Sequence, residues 1–342
     1  NNMMNEFWSA WNDLSTNPEN DGMRSIVRNK GRALADTFNR LNKDLEDLSE
    51  NIRSDLTQKT EEVNQLVDHI HNLNQKINRQ QNALSADLLD ERDMTVKKLS
   101  EYVDIKAKEA DNGQITISTG GVILISHNFK NSVSTSFSQG DGILKVTFEK
   151  GKGNITGGSI GSLLESHNSK LKDYGNRLDS LAVNLASQVN AIHRAGYNID
   201  DITNVNFFAE NITGAGEFRL DGAIINNPAL IASSDTAGEP GNGKIAQRIY
   251  DLQNSKMVNS STAADFYSML ITDIGAAGNE AVYLETSQQM VVSQLKNQRD
   301  SVSGVSVDEE MTNLIEYEKT YQAAAKIIQT VQDMVNTTLN LV

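Results

Sequence analysis

Cysteine is missing from this chain of 342 residues, so disulfides and thiolate metal sites are excluded. That absence leaves the compartment open, because oxidising and reducing surroundings both permit it. Positive charge is scarce as well: 31 Lys and Arg stand against 45 Asp and Glu, a net charge of −14. An acidic chain without a basic cluster repels phosphate, which argues against nucleic acid or an anionic membrane surface as partner. Long apolar runs are lacking, and none approaches the ~20 residues of a transmembrane helix. No basic stretch followed by an apolar one opens the sequence, so no secretory signal is read.

What is present is helical periodicity. Met4, Phe7, Trp8, Trp11 and Leu14 place the very start of the chain inside an amphipathic pattern, and the expectation is that the natural start lies upstream. Proline disfavours helix in the residue before it, so the first helix ends near Asn17-Pro18. Beyond Asp21-Gly22 a rod-like helix is expected over 22–80. Phe38, Leu45 and Ile52 recur every seven residues with Leu34, Leu41 and Leu48 between them. The seam resumes four residues out of step as Leu56, Val63, Ile70 and Ile77, with Leu66 and Leu73 between, a stutter that unwinds a coiled coil without breaking it. Lys59 lies on this seam and is expected to reach solvent along its stem.

After Gln80-Gln81-Asn82 a shorter helix carries Leu88, Leu89, Val96 and Leu99. The texture then turns to β. Stretches 103–110 and 115–118 flank Asp111-Asn112-Gly113, a hairpin turn signal, and 122–125 and 143–148 continue in the same manner. Helix returns at 159–193. Residues 197–240 read as irregular, with a short strand at Phe218-Arg219-Leu220, and a short helix follows at about 244–253. The next helix is long, with Tyr267, Ile274, Ala281 and Leu295 on one line and Leu270, Ala277, Leu284 and Val291 on another. Ser306 and Glu309 form a capping box for the last helix. The expected fold is therefore mainly α: an elongated helical bundle or coiled coil with a small inserted β domain. Its parts are a first bundle segment at 1–101, the β insertion at 102–155, a second bundle segment at 156–305 with an irregular stretch at about 197–242, and a terminal coiled-coil helix at 306–342.

That terminal helix carries the strictest pattern. Val307, Leu314, Tyr321, Ile328, Val335 and Val342 recur every seven residues, and Tyr317, Ala324, Val331 and Thr338 fill the position three along. An a/d seam of this kind wants a helical partner, and no Gly, Asn or Pro ends it. Val307, Leu314, Tyr317, Tyr321, Ala324, Ile328, Val331, Val335 and Val342 are accordingly the candidate assembly interface. Competing chemistry is weak. Gly157-Gly158-Ser159-Ile160-Gly161 fits a nucleophile elbow, but a coiled coil and a hairpin precede it where a parallel sheet is required. The plainer reading is a Gly-rich return into the bundle, with Ser159 capping the next helix. His69 and His71, two apart on a helix, point to different faces and cannot share a metal. His193 suits helix-end hydrogen bonding or the helix dipole better than a ligand role. The acidic run 87–93 reads as a solvated helix face with Arg92 salt bridges, and no cofactor is called for.

At this point a resemblance emerges. Ser303-Gly304-Val305-Ser306, Glu309-Glu310-Met311, Leu314-Ile315, Tyr321-Gln322-Ala323-Ala324-Ala325-Lys326, Thr330, Met334 and Thr338 together resemble the carboxyl-terminal signature of bacterial flagellar axial proteins, the family of rod, hook and junction subunits. Ala33-Leu34-Ala35, Phe38, Leu41, the Asp87–Asp93 run, Gly157-Gly158-Ser159-Ile160-Gly161-Ser162-Leu163-Leu164 and Asn190-Ala191-Ile192-His193-Arg194-Ala195-Gly196 are similar to the members that join hook to filament. The resemblance implies a structural subunit and no enzyme. Its implied partners are copies of itself, the hook protein, a second junction protein and an export chaperone that shields the terminal helix. Its implied place is the extracellular flagellum, reached through the flagellar secretion channel. Alternatives are another axial protein (hook, second junction protein or flagellin-like) or, from a different class, a serine hydrolase using Ser159. Family members begin with a helix and an Asn-rich stretch ending near Thr-x-Gly-Tyr. This chain lacks that block, so the expected partner of the terminal helix is that upstream helix.

Overall fold

Asn20 sets the long helix in motion. Its side-chain oxygen accepts the amides of Gly22 (2.8 Å) and Met23 (3.2 Å), capping a 59-residue helix, α2 (Asp21–Arg79). Asp21 in the first turn and Lys76 and Arg79 in the last complement the helix dipole. The structure, a computed structural model, describes residues 2–79, 85–303 and 307–339. Before α2 comes α1 (Asn2–Thr16), and after it α3 (Ala86–Tyr102). Six strands follow: β1 (Lys106–Glu109), β2 (Ile115–Thr119), β3 (Val122–Ser126), β4 (Phe129–Lys130), β5 (Val133–Ser138) and β6 (Ile143–Phe148). They form an antiparallel sheet in the order β1-β2-β3-β4 and a separate β5-β6 hairpin. Then come α4 (Gly158–Glu165), a π-helical segment (Ser166–Leu171), α5 (Lys172–Arg194), α6 (Gly222–Asn226), α7 (Lys244–Asp251), α8 (Ala263–Ser303) and α9 (Val307–Leu339). The chain divides into two compact units, Asn1–Ile271 and Thr272–Val342.

Two apolar cores lie within the first unit. The first gathers α1, the start of α2, α5, the loop around Phe207–Leu220 and α7. Aromatic rings dominate it: Trp11 meets Phe207 at 5.1 Å between centroids, and Phe208 meets Phe218 at 4.5 Å. Gly31 permits this packing, since a Cβ there would stand 2.8 Å from the Phe207 ring. The second core sets α3, α4 and both sheets against the distal half of α2. Leu56, Val63, Ile70, Leu73 and Ile77 are buried as the seam requires, whereas Leu66 is half-buried and Thr60, Val67 and Asn74 are buried in its stead. Lys59 does not simply reach solvent; its ammonium lies 5.5 Å from the Tyr102 ring centroid.

Other expectations are corrected. Ser159 is not a cap: Gly157 holds that position, and Ser159 lies inside the first turn of α4. No strand runs through Phe218-Arg219-Leu220; a 3₁₀ turn at Ala215–Glu217 and a single antiparallel bridge between Phe208 and Leu220 replace it. The helix expected at 159–193 is interrupted by the π segment. Ser306 of the expected capping box lies outside the described residues.

Candidate assembly interface

The seam of α9 is helical as expected and bare. Leu314, Tyr317, Tyr321, Ile328, Val331 and Val335 are between 52% and 77% exposed, and Ala324 is exposed with them. The side chains of Val307 and Val342 lie outside the described residues. In the same unit the distal part of α8 shows Val282, Tyr283, Leu284, Met290, Val291, Val292 and Leu295 to solvent. These apolar residues occupy every side of α8, a distribution proper to a helix surrounded by other protein. The residues that reach inward in α8 are at its start, where Ala263, Phe266 and Leu270 join the buried residues of the first unit.

The residues considered for chemistry are engaged otherwise. His167 pairs with Ser49 Oγ at 3.0 Å and with Asn168, and His193 is held by backbone, so neither histidine bonds Ser159. Gly158 has φ +69°, and a Cβ there would meet the Tyr102 backbone at 2.4 Å: the glycines serve a tight return. His69 pairs with Glu91 at 3.0 Å and His71 with Gln75 at 2.9 Å. Among the described residues no group of three or more His, Asp or Glu is disposed to hold a metal, and no helix is long and apolar enough to cross a membrane.

His193, in the last turn of α5, hydrogen-bonds as expected, but to two loops and not as a charge on the helix dipole. Its Nδ1–H donates to Val205 O at 2.7 Å, and its Nε2 accepts the Ala232 amide at 2.9 Å. Burial pushes the imidazole down to about 4, assisted by the Arg24 charge and opposed by the Val205 bond. It is a neutral cross-link between α5 and two loops. Arg92 likewise leaves the solvated face: buried, it pairs with Asp93 and Glu109 and bonds the carbonyl of Gly113, tying α3 to the first hairpin.

Sequence reasoning missed a set of asparagines. Asn64 donates to Val133 O (2.8 Å) and accepts the Val133 amide (2.9 Å). Asn74 does the same for Ile115 (2.8 and 3.0 Å), and Asn168 for Leu144 (2.7 and 2.8 Å). Each side-chain amide stands in for a missing neighbour strand, satisfying both backbone groups of one strand residue. Asn190 clasps Phe207 and Phe208 in the first core similarly. A signal for Asn74 did exist, as a polar residue flanking the apolar seam beside Leu73, between Ile70 and Ile77.

Comparison with known proteins supplies the context. Residues 1–208 match the family described as "Flagellar hook-associated protein FlgK helical domain", and residues 296–341 match "Flagellar basal body rod FlgEFG protein C-terminal". Flagellar hook-associated protein 1 of Bacillus subtilis is 25% identical, the alignment taking in 99% of this chain and 76% of that protein. The protein of the same name from Escherichia coli is 25% identical over 99% of this chain and 80% of its own length. A solved structure of the flagellar hook junction protein FlgK from Burkholderia pseudomallei shares the fold, with a TM-score of 0.77 at 15% identity across 88% of this chain and 94% of that one.

Proposed function

The chain belongs to the family of flagellar hook-associated protein FlgK, and on that premise we propose that it is a structural subunit joining hook to filament in the bacterial flagellum. It is built into the axis by its own copies, through the helices of the second unit. The observation that carries this reading is the uncovered α9 seam. Each large side chain there gains ~1.5–3 kcal/mol on burial. The six large ones together offset much of the cost of association and ordering. Leu314, Tyr317, Tyr321, Ala324, Ile328, Val331 and Val335 form the interface proper, and Val307 and Val342 extend it by sequence.

The hook protein on one side and a second junction protein on the other are the neighbours this role requires. An export chaperone would cover the same seam before assembly, because a bare apolar helix is an aggregation hazard in transit. The working place is the extracellular flagellum, and the role asks for no catalysis and no cofactor. The test is electron microscopy of cells carrying Leu314→Asp with Ile328→Asp in the chromosomal copy. Hooks without attached filaments are expected; filaments of normal number and attachment would overturn the proposal.

A further inference from the structure

The chain passes between the two cores of the first unit only twice among the described residues, once outward along α2 and once back through the π segment and α5. At both crossings the packing thins at the same level. On α2 no residue from 39 to 51 is buried, and Leu48 is 47% exposed although it continues the heptad pattern. On the return path Leu171 belongs to the second core and Leu178 to the first, and 172–177 contains no buried residue. Leu45 is the half-buried apolar residue that touches both cores. A polar contact, Ser49 with His167 at 3.0 Å, bridges the two crossings.

The return path carries two further weaknesses at this level. Ser166–Leu171 is π-helical, a geometry that breaks the regular hydrogen-bond ladder within a helix and is a common place for a helix to kink. Four residues on, Gly175 sits within α5, and a Cβ there would meet nothing within 4 Å. Packing therefore does not demand a glycine, and its presence softens the helix. We infer that these paired crossings form a hinge, across which the second core with its two sheets swings relative to the first. α2 flexes over 39–51, and the return helix bends at the π segment and Gly175. A bundle stapled by a continuous core resists such motion, whereas two cores joined by two thinly packed helices permit it. The inference rests on this geometry alone and stands whether or not the junction role does.

The absence of cysteine allows clean double labelling of the full chain. Spin labels at Asp13→Cys and Lys145→Cys report across the hinge, and labels at Glu61→Cys and Lys145→Cys report within the second core. Double electron–electron resonance should give a cross-hinge distance distribution roughly twofold broader than the control, and Gly175→Ala should narrow it. A cross-hinge distribution as narrow as the control would overturn the hinge. Breadth that Gly175→Ala leaves unchanged would overturn its placement in α5.

Discussion

The distal half of α2 and the whole of α9 carry the same heptad grammar and meet opposite fates. On α2 the seam at Leu56, Val63 and Ile70 is sealed by the chain's own α3 and sheets. On α9 the equivalent described positions, from Leu314 to Val335, stand in water. The difference lies in what covers each seam, and on α2 two asparagines that flank the seam help to choose it. Asn64 and Asn74 on α2 present amides that fit the backbone of a strand end, so they specify a β partner from within the chain. The described seam of α9 from Leu314 to Val335 is Leu, Tyr, Ala, Ile and Val alone, which specifies a helix and leaves open whose helix. A heptad pattern thus states that a face will be covered; on α2 the asparagines that flank it help to state by what.

Truncating one leucine on each seam probes that contrast most strongly. Leu56→Ala removes a side chain with no exposure and should cost the monomer 2–5 kcal/mol in urea melts, about the range for cavity creation. Leu314→Ala should leave the same melt within about 0.5 kcal/mol, as an exposed substitution does. Equal losses would mean that α9 is already covered in the monomer, and the contrast would fail.

A pH series tests the covered side in the first core. His193 titrates at about 4 when folded against an ordinary 6.5, so between those values the unfolded chain binds the proton and the folded chain does not. Its contribution is complete above pH 6.5 and falls away as pH drops toward 4, by on the order of 3 kcal/mol. Urea melts at pH 7 and pH 4.5 on the wild type and His193→Gln check this, with the pH slope shallower in the variant. A somewhat smaller loss is expected for Asn74→Ala, which strands the amide and carbonyl of Ile115, at about 1–3 kcal/mol. Hydrogen exchange at the Ile115 amide should accelerate with it. Unchanged exchange there would mean that the clasp does not hold the strand to α2.

The sequence made the helices legible because their apolar spacing is long and regular: the start of α2 was anticipated to within about a residue, and the first hairpin followed from Asp111-Asn112-Gly113. Where the reading failed, the local signal was ambiguous. β5 is Val-Ser-Thr-Ser-Phe-Ser, too polar to stand out, and β4 has only two residues. The π segment keeps helical composition, so nothing in Ser166-His167-Asn168 announces the extra residue per turn. Leu41, Leu45 and Leu48 look like covered seam, yet they fall between the cores, and burial is decided by tertiary partners that spacing does not encode. For the proposed interface, spacing picks out the α9 residues, of which the structure leaves Leu314 to Val335 exposed, while the asparagine clasps that hold the β region to α2 were not legible, since single Asn residues are common on helix surfaces.

The most direct measurement is hydrogen exchange on the monomer of this chain, comparing 307–339 with 52–77 in one experiment. The account predicts slow exchange along α2, set by its buried seam, and rapid exchange along α9, which becomes protected only when the chain assembles. Protection of α9 in the dilute monomer equal to that of α2 would contradict it.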